Sequence, residues 1–259
     1  MKMNCQPCIG LDISEGLATV SLNREDQGNA LDLSMVKDFH AILKEILTNK
    51  AIRVILIKST NKDFCVGGDL HFIFDDPGLS NSKMSAMVTV WHDCLSMLTQ
   101  SPQLVVVEGQ GAVAGGGIGL VLVADYVVIA DNTHFTAGFS KLGLNADSGL
   151  SWLLPRQIGL KRTKQFLLAE KTLDAPVALE WGIADEIVAL ESLPLRSKQL
   201  CNDFLKTSPA AILSIKKLLN ISFNQSFTEQ LDLECQGMVA LAESEDVSNR
   251  AQAFIKSRK

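Results

Sequence analysis

A chain of 259 residues that is 47% hydrophobic, with 18 Gly and only 7 Pro, suits one large domain or a domain with a helical appendage. Its 24 Lys and Arg against 29 Asp and Glu give a net charge of −5, which argues against the basic face that a nucleic acid requires. No run approaches the roughly 18 consecutive apolar residues of a membrane span, and Met1-Lys2-Met3-Asn4-Cys5-Gln6 lacks the apolar core of a signal peptide. A cytoplasmic protein with neither nucleic acid nor membrane as partner is expected.

The elements follow in chain order. Residues 10–23 predict a hairpin, because Ile9, Leu11 and Ile13 alternate, Glu15-Gly16 turns, and Ala18, Val20 and Leu22 alternate again. Residues 31–48 predict a helix with Leu31, Met35, Phe39, Ile42, Leu43 and Ile46 on one stripe. Val54-Ile55-Leu56-Ile57 is a continuous apolar run, as in a strand buried on both faces. Residues 75–85 are polar and predict a mobile loop, after which Met84, Val88, Trp91, Leu95 and Leu98 mark a helix.

Leu104-Val105-Val106-Val107 predicts the next strand, followed by a glycine loop and a helix from about Gly117 to Ala124. Another strand is expected at 126–130. A helix begins after Asp147 and ends near Gly159, and a second runs from Thr163 to Ala169. Beyond Ile187 only helices are expected, over 192–207, 209–221, 227–242 and 248–256. Strands alternating with helices give an α/β core over residues 1–190, with 191–259 as a helical region.

Six cysteines stand at positions 5, 8, 65, 94, 201 and 235. In a cytosolic chain they are expected to be reduced and to serve as small apolar packing. Cys5 and Cys8 form a lone C-x-x-C with no second ligand pair. No cluster of His, Asp or Glu has metal-ligand spacing, and no Gly-x-Gly-x-x-Gly opens a dinucleotide unit, so no metal or nicotinamide cofactor is expected.

Two glycine-rich turns each follow a β-branched run: Phe64-Cys65-Val66-Gly67-Gly68-Asp69 and Ala112-Val113-Ala114-Gly115-Gly116-Gly117. Such turns can aim backbone N–H groups at one oxygen atom, since no side chain stands in the way. Asp147 downstream is the candidate carboxylate. Alone, it could equally be the N-cap of the helix that follows. His92 lies on the stripe of Val88, Trp91 and Leu95, where a histidine is more often a core residue than a base. His40, His71 and His134 are expected to be solvated or locally hydrogen-bonded.

Arg24-Glu25-Asp26-Gln27-Gly28-Asn29-Ala30-Leu31, the two glycine turns, Ala124-Asp125, Phe139-Ser140-Lys141-Leu142-Gly143-Leu144, Leu154-Pro155-Arg156 and Trp181-Gly182-Ile183-Ala184 resemble successive signatures of the crotonase superfamily, the enoyl-CoA hydratases and isomerases. The resemblance covers nearly the whole chain. It implies a ClpP-like spiral of repeated ββα units with a C-terminal helical trimerisation region, assembled as a trimer or a dimer of trimers. It implies an acyl-CoA thioester as substrate, with coenzyme A entering only as part of it. Gly68 and Gly116 would be the two oxyanion donors, the second at a helix N-terminus whose dipole favours negative charge.

By the same resemblance, hydratases hold the attacking water with two glutamates, at positions that here carry Gly119 and Phe139. A plain hydratase is therefore disfavoured. Asp147, within Leu144-Asn145-Ala146-Asp147-Ser148-Gly149, matches the acidic residue of double-bond isomerases and of the ring-epoxide isomerase of phenylacetyl-CoA breakdown. It would be the acid/base, with Phe139, Leu144, Leu150 and Trp152 as a desolvating apolar wall. Trp91-His92, the second glycine turn and Asp147 fall at spacings that resemble 4-chlorobenzoyl-CoA dehalogenase, in which an aspartate attacks the substrate and a histidine activates water. Phe139 stands where that enzyme carries a tryptophan. Hydratase-like, hydrolytic and dehalogenating reactions, and a non-catalytic CoA-ester-binding relative, remain the alternatives. Val66, Gly67, Asp69 and Leu70 would face the adenine, Arg24 or the terminal Lys256-Ser257-Arg258-Lys259 the phosphates, and residues 71–90 and 139–152 the acyl group.

Overall fold

The computed structural model describes residues 7–258 of the chain. They form two compact units, one ending at Leu205 and the other beginning at Lys206. Cys5 of the C-x-x-C pair and the terminal Lys259 lie outside the described residues.

The first unit contains nine strands: β1 (Ile9–Ser14), β2 (Leu17–Leu22), β3 (Val54–Ser59), β4 (Leu104–Gly109), β5 (Ala112–Ala114), β6 (Tyr126–Ala130), β7 (His134–Thr136), β8 (Leu173–Asp174) and β9 (Glu186–Val188). Between and after them run α1 (Leu33–Thr48), α2 (Leu70–Phe74), α3 (Ser80–Thr99), α4 (Gly116–Leu122), α5 (Leu150–Gln157), α6 (Gly159–Leu167), α7 (Ala175–Trp181) and α8 (Leu193–Leu205). The larger sheet has the order β1-β2-β3-β4-β6-β9. Its first pair is the expected hairpin, in register from Ile9↔Leu22 to Ser14↔Leu17, and every other pair is parallel. β3 and β4 lie in the middle and are buried almost throughout, which is why their sequences do not alternate. α1 starts where the Asp32 carboxylate accepts the Met35 N–H at 2.8 Å, and it buries Phe39, Leu43 and Ile46. Each such side chain contributes about 1.5–3 kcal/mol.

The smaller sheet, β5-β7-β8, makes the fold a spiral. After β4 the chain turns into β5, and after β6 into β7, so each of these two strands is followed by a short one in the second sheet. β3 does the same: the segment after it pairs with β5 through the bridge Cys65↔Val113. Gly68 and Gly116 each lie at the same offset beyond these two partners. The glycine turns are thus equivalent corners of successive coils, laid side by side by the Ala114 N–H donating to the Cys65 carbonyl at 2.8 Å.

Of the polar stretch expected as a loop over 75–85, residues 75–79 form a turn and the rest belongs to a helix. α2 covers Leu70–Phe74 and α3 already starts at Ser80, whose neighbours are the solvated first turn of that helix. Helix α8, which the sequence pattern places in the C-terminal helical region, packs on β3, β4 and β6. It buries Leu193, Leu200 and Cys201, and its Ser197 hydroxyl donates to the Glu108 carboxylate of β4. The division therefore falls after residue 205 rather than after 190.

The second unit holds α9 (Pro209–Ile221), α10 (Phe227–Ala242) and α11 (Glu245–Ser257). α10 opens with a capping box, Ser226 and Glu229. Leu219, Phe223, Phe227, Met238 and Phe254 of this unit are exposed. Among the described residues no helix is long and apolar enough to cross a membrane.

Candidate functional site

Both glycine corners open onto one cavity of about 690 Å³. Gly67, at φ +94°, has a backbone that an L side chain rarely adopts, and a Cβ there would stand 3.1 Å from the Ala114 carbonyl oxygen. That close approach sets the two corners face to face. On either side of Gly68 the chain is tied to Leu31: Leu31 N–H donates to the Gly67 carbonyl at 2.7 Å, and Asp69 N–H donates to the Leu31 carbonyl at 2.8 Å. In a parallel bridge this alternation leaves the Gly68 N–H on the opposite edge. Among the described residues no acceptor takes the N–H of Gly68 or of Gly116, the first residue of α4.

The walls are largely apolar. Leu70, Ile73 and Phe74 come from α2, Met84, Met87 and Val88 from α3, and Phe139, Leu142 and Leu144 from the segment after β7. Val66 lines the cavity as well, so of the expected substrate residues Val66, Gly67, Leu70, Phe139, Leu144 and Trp91 all face it. Leu150 and Trp152 do not. α5 turns Leu150 into the core and Trp152 outward, where the Arg156 guanidinium stacks 3.8 Å from its ring centroid.

Asp147 and His92 meet at this cavity, with His92 Nε2 2.5 Å from Asp147 Oδ1. The imidazole is half exposed and the carboxylate about a quarter exposed, so His92 faces the cavity rather than the core. The capping alternative for Asp147 is not realised: α5 begins at Leu150 behind Gly149, and no side chain caps it. The second carboxylate oxygen, Oδ2, accepts from the Ser148 hydroxyl at 3.2 Å. Trp91 Nε1–H in turn donates to Ser148 Oγ at 3.1 Å, within the core. Four residues from two elements thus form one polar chain, and sequence reading missed Ser148. Its only signal was adjacency to Asp147.

Arg24 and Asp69 lie behind the cavity wall. Arg24 Nη1 is 2.8 Å from Asp69 Oδ2 and 2.6 Å from the Ala30 carbonyl, and Nη2 is 3.1 Å from Asp32 Oδ2. Asp32 and Asp69 are the N-caps of α1 and α2. Burial pushes the Asp69 carboxyl up, but the Phe72 N–H and the Arg24 guanidinium outweigh it and hold it below the usual carboxylate range. The guanidinium expected to meet a phosphate is instead a brace beneath the Gly68 corner.

Glu170 was also invisible in the sequence. Its carboxylate accepts the N–H groups of Gly138 and Ser140, each at 2.9 Å, and the Ser140 hydroxyl at 2.6 Å, so it grips the turn that carries Phe139 from both sides. Among the described residues no group of three or more His, Cys, Asp or Glu side chains could hold a metal ion. Cys65, Cys94 and Cys201 are buried free thiols, each pushed up to about 12 by burial.

The sequence pattern of the enoyl-CoA hydratase/isomerase family matches residues 12–259. The chain belongs to that family. Its relatives include the 1,2-epoxyphenylacetyl-CoA isomerase of Escherichia coli K12, 31% identical over 248 residues that cover 95% of this chain and 94% of the relative. The trans-2-decenoyl-[acyl-carrier-protein] isomerase of Streptococcus mutans is 27% identical, covering 96% and 95%. The crystal structure of an enoyl-CoA hydratase from Bacillus anthracis superimposes with a TM-score of 0.91 at 24% identity, over 96% of each chain. The spiral described above is therefore the crotonase fold.

Within this enoyl-CoA hydratase/isomerase fold, position 119 has no room for a side chain. A Cβ there would stand 2.8 Å from both Cβ and the carbonyl oxygen of Ser148. A glutamate at 119 would require the Ser148 backbone to shift.

Proposed function

We propose that this protein is an acyl-CoA isomerase that moves a double bond by proton transfer, with Asp147 as acid and base. The observation that carries the reading is the convergence of Asp147 with Gly68 and Gly116 on one largely apolar cavity. The thioester carbonyl oxygen would sit between the two glycine N–H groups. Asp147 takes a proton from an activated carbon of a 3-enoyl chain, and the electron pair moves onto that oxygen as an enolate. The same carboxyl returns the proton at the other end of the allylic system. Each backbone donor of this kind typically lowers the barrier by roughly 3–4 kcal/mol. Hydration is disfavoured, since neither Phe139 nor Gly119 offers a carboxylate and a side chain at 119 would displace Ser148.

His92 touching Asp147 favours a second reading on the same cavity, a hydrolytic or dehalogenating reaction in which Asp147 attacks and His92 activates water. The exposed apolar side chains of the C-terminal unit support assembly as a homotrimer or dimer of trimers. The test is incubation with a 3-enoyl-CoA and a 2-enoyl-CoA in D2O, beside Asp147→Ala, with products followed by mass spectrometry. Double-bond migration with deuterium at the α or γ carbon, lost in the variant, is expected. Hydration that survives the substitution would overturn the assignment.

A further inference from the structure

We propose that Ser148 is a positioning residue, whose hydroxyl is oriented by the Trp91 indole and fixes the carboxylate of Asp147 toward the cavity. The role rests on Asp147 being the acid/base. An indole N–H can only donate, and a serine hydroxyl carries one proton and two lone pairs. With Trp91 Nε1 at 3.1 Å the Ser148 oxygen is an acceptor on that side, so its proton is left for Asp147 Oδ2 at 3.2 Å. His92 holds Oδ1. Both carboxylate oxygens are thereby tied, which fixes the plane of the group and leaves its remaining lone pairs to meet a substrate proton.

The backbone is shaped around this hydroxyl. Ser148 is fully buried and lies at φ +56°, a region that non-glycine residues rarely occupy. Such conformations persist where surrounding contacts over-determine them, and they cluster at functional sites. Here the space is cleared from the other side, because Gly119 and Gly116 back directly onto Ser148, within 2.8 and 3.3 Å of where their Cβ atoms would be. Trp91 is itself fixed, buried and packed against Phe39 with ring centroids 5.8 Å apart. The orientation therefore runs from the core outward to the reacting carboxylate.

The test compares Ser148→Ala, Ser148→Gly, Trp91→Phe and Asp147→Asn with the unaltered protein. It uses kcat and KM for a 3-enoyl-CoA and the rate of deuterium entry at its α carbon. Glycine relieves the positive φ while alanine keeps it, so the two Ser148 variants differ in strain and agree in lacking the hydroxyl. Both should lose kcat by roughly ten- to hundredfold, the scale expected for a misplaced catalytic group, with KM within about twofold. Trp91→Phe should lose less, because the hydroxyl remains but is free to turn. If Ser148→Ala does not fold, Ser148→Gly carries the comparison. A Ser148→Gly protein with unaltered kcat beside an inactive Asp147→Asn would overturn the role of Ser148 and leave Asp147 standing. An active Asp147→Asn would overturn both.

Discussion

Gly119 and Ser148 compete for one small volume behind Asp147, since a Cβ at 119 would lie 2.8 Å from the Ser148 Cβ. The neighbour is backbone as well as side chain, so it cannot simply swing away. Gly119→Ala should lower stability by about 1–3 kcal/mol, as overpacked cores do, and should lower activity by displacing Ser148. Gly119→Glu should gain no hydration of a 2-enoyl-CoA. Urea unfolding and loss of enoyl absorbance check both; a hydrating Gly119→Glu protein would contradict this expectation.

Arg24 braces two helix N-caps, and breaking a largely buried ion pair leaves charges without partners. Arg24→Met should cost about 3–5 kcal/mol of stability while the Kd for free coenzyme A stays within about threefold. Denaturant midpoints and calorimetric titration separate the two quantities. A stable variant with tenfold weaker coenzyme A binding would restore the phosphate role.

His92 orients Asp147 in the isomerase reading and activates water in the alternative. His92→Gln should reduce isomerisation by roughly tenfold, far less than Asp147→Ala, on the usual scale for general acid–base partners. An 18O-water experiment distinguishes the chemistries. Label in a released carboxylate that disappears with His92→Gln would favour hydrolysis.

Glu170 makes the Phe139 turn sensitive to acid. Burial pushes its carboxyl up, but the hydrogen bonds from the Ser140 hydroxyl and from the Gly138, Ser140 and Lys141 N–H groups outweigh this and hold it below the usual carboxylate range. A carboxyl lowered on folding adds stability above its unfolded value, near pH ~4.3 for glutamate. That stability is lost as pH falls through the folded value. Glu170→Gln should therefore melt lower than the unaltered protein at pH 7, and the gap should close below about pH 4. A gap independent of pH would show that the turn does not depend on the charge.

What the sequence displayed was set by period and run length. The hairpin at 9–22, the buried run Val54–Ile57 and the four terminal helices appear because each repeats a pattern over many residues. β5, β7 and β8 have two or three residues each, too few for any period, yet they make the spiral. The glycine corners were legible through their composition and Asp147 through its register. Arg24 was misread because a lone arginine after a strand looks available, and only the fold brings Asp32 and Asp69 to it. Ser148 and Glu170 act across turns that no local pattern encodes.

Phe139 projects into the cavity, yet its side chain takes no part in the hydrogen bonds from Gly138 and Ser140 that hold its turn. Frame and filling are therefore separate. Exchange of the side chain at 139 for a smaller or larger apolar one should change the volume of the cavity while the hydrogen bonds from Gly138 and Ser140 to Glu170 remain. In the proposed isomerase, selectivity among thioesters would then be open to change at this position, one substitution at a time, apart from the residues that meet at Asp147.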